Sequence, residues 1–176
     1  MRIERENTVA LVIDYQEKLV PVMYEKERLI QNSAILLAGL RQLGIPMLVT
    51  QQYTKGLGIT IQEIREAMES DDYIDKISFT AFNSVKEQIR DKKFVIVCGI
   101  EAHICVLQTV IDLVEAGFVP VVVEDCISSR KPNDKKIALQ RMQQEGAIIT
   151  TYESLLFELL KVARTEESKR IQRLIK

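Results

Sequence analysis

Short apolar runs rich in Val and Ile alternate with amphipathic segments along this chain of 176 residues. The runs lack the alternation of apolar and polar residues that marks a strand with one solvent-exposed face. They are therefore typical of strands that are covered on both sides. Strands are predicted at 8–13, 47–50, 94–98, 119–123 and 147–150, with a weaker one at 74–77. Helices are predicted at 25–43, 61–68, 84–90, 102–116, 133–145 and 152–163.

This alternation predicts an α/β protein: a three-layer α/β/α sandwich around a mostly parallel sheet of about six strands, in the Rossmann-like order 3-2-1-4-5-6. A single domain is expected over residues 1–176, with 164–176 as a charged C-terminal extension that frays or packs on a partner. In this strand order the chain reverses direction between the first and fourth strands. Ligands of such sheets bind outside the carboxyl ends of the strands at that point.

Composition excludes several classes of function. The net charge is -1 and no block of Lys and Arg is present, which argues against a nucleic-acid or membrane-surface protein. No apolar run reaches the roughly 18 residues that cross a bilayer, and the first residues lack the apolar core of a signal peptide. A cytoplasmic location is therefore expected. The 3 cysteines do not form a disulfide framework.

The segment 94–106 joins a buried strand, through Gly99, to a helix with Cys105 in its first turn. Backbone N–H groups are unpaired at such a helix start, and the helix dipole is positive there. Both features favour a thiolate over a thiol, and they can hold an oxyanion formed when the thiolate attacks a carbonyl. The alternative is a small apolar core residue, the usual role of a free cysteine.

Asp14 directly follows the first strand, so the predicted strand order brings its carboxylate to the same rim as Cys105. It is a candidate general base, with capping of the next turn as the alternative. Gln16 is a candidate substrate-positioning residue or an ordinary turn residue. The only histidine, His103, lies two residues before Cys105 and faces another side of the helix, so it is a poor base and is interpreted as a pocket-wall or helix-start residue. Lys76 has apolar neighbours and is a candidate cation for the thiolate, although surface lysines also lie on apolar neighbours.

Several segments together resemble the isochorismatase-like cysteine hydrolases, especially the small single-domain branch of uncertain substrate. They are Leu11–Gln16, Thr50–Tyr53 with Lys55–Gly58, the Lys76 segment with Phe79 and Phe82, Val97–Cys105, and Val123–Ser128. The resemblance implies a catalytic triad of Asp14, Lys76 and Cys105 and assembly into a homo-oligomer.

The resemblance also implies a cis peptide joining Ile100 to Glu101, which turns N–H groups near Glu101, Ala102 and Cys105 toward an oxyanion. By resemblance, the candidate pocket walls are Gln52, Tyr53, Phe79, Phe82 and Ile104. Asp125 resembles a residue of the site floor, with a structural turn role as the alternative. Cys98 and Cys126 are expected to pack in the core.

The resemblance implies acyl transfer without a cofactor, on a small amide, imide or related acyl compound, with C–N bond cleavage expected. Amidase-type members carry a metal on an Asp-x-His motif, whereas this chain has Asp14-Tyr-Gln16 and a single histidine, so no metal is expected. Two alternatives remain: a non-catalytic oligomeric scaffold or regulator with the same fold, and a nucleotide-binding domain. The latter lacks the expected glycine motifs after the first strand. The expected partner is thus a small-molecule substrate, with neither nucleic acid nor membrane.

Overall fold

Six parallel strands form one sheet in the computed structural model, which describes residues 1–176. The strand order is β3-β2-β1-β4-β5-β6, so the predicted order is confirmed. The strands are Thr8–Ile13 (β1), Met47–Gln52 (β2), Ile74–Lys76 (β3), Phe94–Ile100 (β4), Val119–Ser128 (β5) and Ile148–Thr150 (β6).

Helices cover both faces of the sheet, which gives the expected three layers. The helices are Lys26–Gln42 (α1), Thr54–Leu57 (α2), Gln62–Met68 (α3), Phe82–Ile89 (α4), Leu107–Glu115 (α5), Pro132–Gln144 (α6), Tyr152–Leu160 (α7) and Glu166–Ile175 (α8). Buried side chains of α1, α3, α7 and α8 pack in the core on one face, and those of α4, α5 and α6 pack on the other. No helix combines the length and the apolar character that a bilayer span requires.

The central strands β1 and β4 set the position of the candidate site. Every residue of both strands is buried, as their uninterrupted apolar runs predict. They pair in parallel register, with Ile13 opposite Gly99. Gly99 has a φ of 131°, and a Cβ there would lie 2.1 Å from the Ile13 carbonyl oxygen. Only glycine permits this close approach, which brings the end of β1 against the end of β4.

Two elements near the site differ from the prediction. The helix expected over 102–116 begins as a π-helical turn, Ala102–Val106, before α5. Strand β5 extends to Ser128 instead of ending at residue 123, and its register against β4 shifts between Val97 and Gly99. The half-buried pair Glu124 and Asp125 mimics a strand end in the sequence, but buried apolar residues follow it and the strand continues.

Asp125 is therefore inside the bulged part of β5 and not in a turn. Its carboxylate accepts a hydrogen bond of 2.9 Å from the backbone N–H of Tyr152, at the start of α7. This contact gives Asp125 a structural role at the start of α7. The alternative prediction was also a structural role, but in a turn.

The charged C-terminal segment folds onto its own chain. Helix α8 begins with a capping box at Thr165 and buries Ile171 against the core that contains α1. Arg5 donates to Glu167 at 2.8 Å and also to the carbonyl of Leu43 at the end of α1. The expectation that this extension frays or packs on a partner is wrong for α8.

Candidate active site

Asp14 and Lys76 form a fully buried ion pair at the carboxyl edge of the sheet. The Lys76 Nζ atom lies 2.7 Å from Asp14 Oδ2, and neither side chain has any exposed surface. Asp14 Oδ1 accepts a hydrogen bond of 2.8 Å from the Thr50 hydroxyl. Asp14 has a φ of 54°, a left-handed conformation that Asp tolerates better than most residues. The chain thus turns sharply out of β1, with the carboxylate held between β2 and β3.

Lys76 is held by carbonyl oxygens as well as by Asp14. Its ammonium donates to Gln52 Oε1 at 2.7 Å, to the Phe79 carbonyl at 2.9 Å and to the Ser78 carbonyl at 3.2 Å. Four acceptors therefore surround three hydrogens, which leaves no free donor. A buried ammonium is tolerated only when it is paired and hydrogen-bonded in this way.

The two glutamines predicted as substrate contacts support the ion pair. Gln52 accepts from Lys76 and donates to the Ile77 carbonyl at 2.6 Å. Gln16 is fully buried, donates to the carbonyls of Gln52 and Gly58, and accepts from the Gln52 N–H at 2.6 Å. Gln16 therefore braces the end of β2 and has no free donor for a ligand.

Cys105 lies in the π-helical turn, with its thiol near enough to Asp14 and Lys76 for both charges to act on it. The residue is only 6% exposed. Burial is the main factor that raises the pKa of the Cys105 thiol to about 12, the Asp14 charge raises it further, and the Lys76 charge opposes both. Desolvation thus outweighs the helix start and the ammonium, which favours a neutral thiol over the predicted thiolate.

The backbone before Cys105 leaves N–H groups available to a ligand. The Ile100–Glu101 peptide bond is cis, as the resemblance implies. The Glu101 carbonyl accepts from the N–H groups of Ile104 and Val106, at 3.1 and 3.2 Å, and not from that of Cys105 between them. The Glu101 carboxylate is itself fixed, since it accepts from the backbone N–H of Arg130 at 3.0 Å and from its Nε atom at 3.1 Å.

Thr109 connects the Lys76 loop to the cysteine. Its hydroxyl is fully buried, donates to the Cys105 carbonyl at 2.7 Å and accepts from the Ala81 N–H at 2.8 Å. Helix α5 thereby fixes the loop whose carbonyls hold Lys76, because Thr80 also donates to Asp112 on α5 at 2.5 Å. The relative positions of the ammonium and the sulfur depend on this connection.

The candidate wall residues divide into two groups. Tyr53 and Phe79 lie on the loops after β2 and β3, and their side chains are about half exposed, while Ile104 packs against the core cluster that contains Cys105. Phe82 is placed elsewhere: its ring packs edge to face on Phe118, with ring centroids 6.2 Å apart, and Phe118 precedes β5 at the opposite edge of the sheet. Its predicted wall role stays a prediction.

The thiol itself opens only narrowly to the surface. Clefts occur elsewhere on the surface, and one of them lies between the start of α1 and the end of β5, where Arg28 and Asp125 line it. Cys98 and Cys126 are completely buried, as expected, and burial raises the pKa of the Cys98 thiol to about 12. His103 lies between Ser129 Oγ, at 2.9 Å, and Asp134, at 3.9 Å.

Three residues that contact the candidate site were not predicted as site residues from the sequence: Thr50, Thr109 and Arg130. Thr50 could have been found from strand register, because it pairs with Ile13, the residue before Asp14. Thr109 lies four residues after Cys105, the spacing at which a hydroxyl reaches a helix carbonyl. Arg130 follows β5, whose predicted end was too early to place it beside Glu101.

Comparisons with known proteins agree with this architecture. The family described as the isochorismatase domain matches residues 8–154. The isochorismatase domain-containing protein 2 of Danio rerio is 36% identical over 99% of this chain and 89% of its own length.

Two solved structures share the fold. A structure described as MAR1 ribonuclease from Caenorhabditis elegans is 37% identical, with a TM-score of 0.94, over 99% of this chain and 92% of that one. The YcaC gene product from Escherichia coli, described as an octameric hydrolase of unknown specificity, is 21% identical, with a TM-score of 0.88, over 99% of this chain and 95% of that one. At that identity the similarity shows the fold alone. The match to the family domain and the identity to its relatives establish that the chain belongs to the isochorismatase family.

Proposed function

We propose that the protein is a cofactor-independent cysteine hydrolase that cleaves a C–N bond in a small amide, imide or related acyl compound. Cys105 is the nucleophile, Asp14 the general base and Lys76 the charge that stabilises them. Family membership supports a hydrolase. The observation that carries the residue assignment is the buried Asp14–Lys76 pair of 2.7 Å, with both groups in reach of a cysteine thiol.

The raised pKa of Cys105 indicates a neutral thiol at rest, so deprotonation accompanies attack. As the sulfur bonds to the acyl carbon, its proton passes to Asp14, and negative charge moves from sulfur to the carbonyl oxygen. Asp14 then returns the proton to the leaving nitrogen, and the C–N bond breaks. Water, deprotonated by Asp14, hydrolyses the thioester, releases the acid and restores the thiol.

The backbone at the π-helical turn is suited to the oxyanion of this reaction. The Cys105 N–H does not donate to Glu101, and Arg130 fixes Glu101 from the other side. Donors that are held in place before the reaction stabilise developing charge without reorganisation. Ala102 begins this turn and is fully buried.

A small-molecule substrate is favoured over RNA, the substrate class named for the Caenorhabditis elegans relative. An RNA strand requires a basic surface for its phosphates, whereas this protein has a net charge of -1 and its central lysine is neutralised by Asp14. We also propose assembly into a homo-oligomer, since an octamer is described for the YcaC gene product. A non-catalytic scaffold is the competing proposal, and retention of three interacting side chains at one buried place argues against it.

The test measures ammonia or amine release from a library of small amides and imides, with an RNA oligonucleotide as a separate arm. The Cys105→Ala variant is the control for nucleophilic catalysis, and Cys98→Ala is the matched control for loss of a buried thiol. We expect release from at least one compound, abolished by Cys105→Ala and retained in Cys98→Ala. RNA cleavage without amide turnover would contradict the proposal.

A second measurement examines the base directly, by the pH dependence of Cys105 alkylation with iodoacetamide. At neutral pH the Asp14→Asn variant should react more slowly, because no carboxylate takes the proton. Near pH 10 the order should reverse, because removal of the Asp14 charge lowers the pKa of the thiol. Parallel pH profiles for the two proteins would show that Asp14 is not coupled to the sulfur.

A further inference from the structure

We infer that the part of the substrate that enters this site is uncharged. The inference rests on the proposed hydrolase and narrows its substrate class to neutral acyl compounds. An ion that leaves water must find an opposite charge or several fixed dipoles, otherwise its desolvation opposes binding. A charged substrate would therefore need a free group of opposite charge near Cys105.

The charges next to the thiol are already matched. Lys76 and Asp14 form one pair at 2.7 Å with no exposed surface. The remaining hydrogens of Lys76 are directed at Gln52, Ser78 and Phe79. An anionic substrate would have to displace one of these acceptors, and a cationic substrate would compete with Lys76 for Asp14.

Two polar side chains that follow β4 and β5 also have partners. Arg130 contacts both carboxylate oxygens of Glu101, each 3.1 Å from Nε. Both ring nitrogens of His103 face polar partners, Ser129 and Asp134. The Arg130 side chain is 58% exposed, so its remaining donors are solvated and screened by salt.

Apolar side chains occur on the elements that carry the site. Ile104 packs against the cluster that contains Cys105, and Tyr53, Ile77 and Phe79 are exposed on the loops after β2 and β3. Since Cys105 is only 6% exposed, a substrate must shed most of its water to reach the sulfur. A neutral acyl group with an apolar flank suits such a path, and a carboxylate does not.

Lys55 is the rim cation that could contradict this inference. It lies in α2, between the predicted wall residue Tyr53 and Gly58, and its side chain is exposed. An exposed lysine is solvated and screened by salt, so we expect little selectivity from it.

Three methanethiosulfonate reagents of the same size test the inference: 2-hydroxyethyl (neutral), 2-sulfonatoethyl (anionic) and 2-aminoethyl (cationic). The Cys105 sulfur bonds to the reagent's sulfenyl sulfur, methanesulfinate leaves, and the thiol proton passes to Asp14. Rates at Cys105 are measured by peptide mass spectrometry on the intact protein. Each rate is divided by the rate of the same reagent with N-acetylcysteine amide, which corrects for the different intrinsic reactivities of the three reagents.

We expect the normalised rate of the neutral reagent to exceed those of both charged reagents by at least about tenfold. A charged reagent that reacts as fast as the neutral one would overturn the inference, while the proposed nucleophile would stand. Failure of all three reagents to label Cys105 would overturn both proposals. The Lys55→Gln variant should leave the sulfonatoethyl rate within about twofold of the original. A larger loss would identify Lys55 as an anion subsite and would also overturn the inference.

Discussion

Replacement of Lys76 by methionine should destabilise the protein more than any surface charge substitution. Methionine keeps much of the volume but removes the charge, so the Asp14 carboxylate stays buried without a partner. At the observed separation of 2.7 Å the attraction within the pair is about 6 kcal/mol for an effective dielectric constant of about 20. Desolvation of both groups offsets part of this. Loss of one partner of a buried pair typically costs about 3–5 kcal/mol, and we expect Lys76→Met to fall in that range.

The assay is urea denaturation followed by circular dichroism, at one fixed protein concentration because an oligomer's stability depends on concentration. The double variant Asp14→Asn/Lys76→Met should lose less than the sum of the single variants, since no charge then remains buried. Lys135→Met is the matched control: Lys135 lies 3.6 Å from Glu124 in a partly exposed pair, and its loss should cost less than about 1 kcal/mol. Equal losses for Lys76→Met and Lys135→Met, or additive single variants, would refute a buried, coupled pair.

Three further outcomes are expected. Gly99→Ala should destabilise the protein by at least about 2 kcal/mol more than Gly117→Ala in the same denaturation assay. Both glycines have positive φ, but only at Gly99 would a Cβ lie 2.1 Å from the Ile13 carbonyl oxygen. Equal losses of stability would exclude this close approach. Thr109→Val should lower kcat by at least about tenfold with a smaller change in KM, because the hydroxyl fixes the Cys105 carbonyl and not the substrate. An effect on KM alone would contradict this role. The free energy of unfolding should fall above pH 9, because the thiol of the unfolded chain ionises there while the pKa of Cys105 in the folded protein is about 12. In the Cys105→Ala variant the slope of unfolding free energy against pH should be shallower by about 1.4 kcal/mol per pH unit. Equal slopes for the two proteins would disprove this.

Periodicity in the sequence predicts most of the fold because it reports burial directly. Strands β1 and β4 are buried at every position, and their apolar runs can be identified without any long-range information. The strand order 3-2-1-4-5-6 then follows from general rules for alternating strands and helices, and it is confirmed. That order also placed Asp14 and Cys105 at the same edge, although the two residues are far apart along the chain.

The details of the site depend on contacts that periodicity does not report. Gln16 resembles a turn residue in the sequence, and its amide is committed to Gln52 and Gly58 only after β2 and its loop pack beside it. Phe82 follows the Lys76 loop closely, yet its ring packs on Phe118, a long-range contact that periodicity does not report. The resting state of the thiol likewise depends on burial, which a local reading of the helix start could not supply.

The raised pKa of the thiol and the neutrality of its surroundings have the same physical origin. A cavity that excludes water penalises every unpaired charge, whether on the sulfur or on a substrate. The Asp14–Lys76 pair is tolerated there because its two members compensate each other at 2.7 Å. In the proposed reaction, Asp14 takes the thiol proton, so Lys76 loses its counter-charge and becomes available to the forming anion. After this proton transfer the reacting atoms, instead of Asp14, compensate the positive charge of Lys76. With a neutral substrate the net charge of the cavity stays constant throughout.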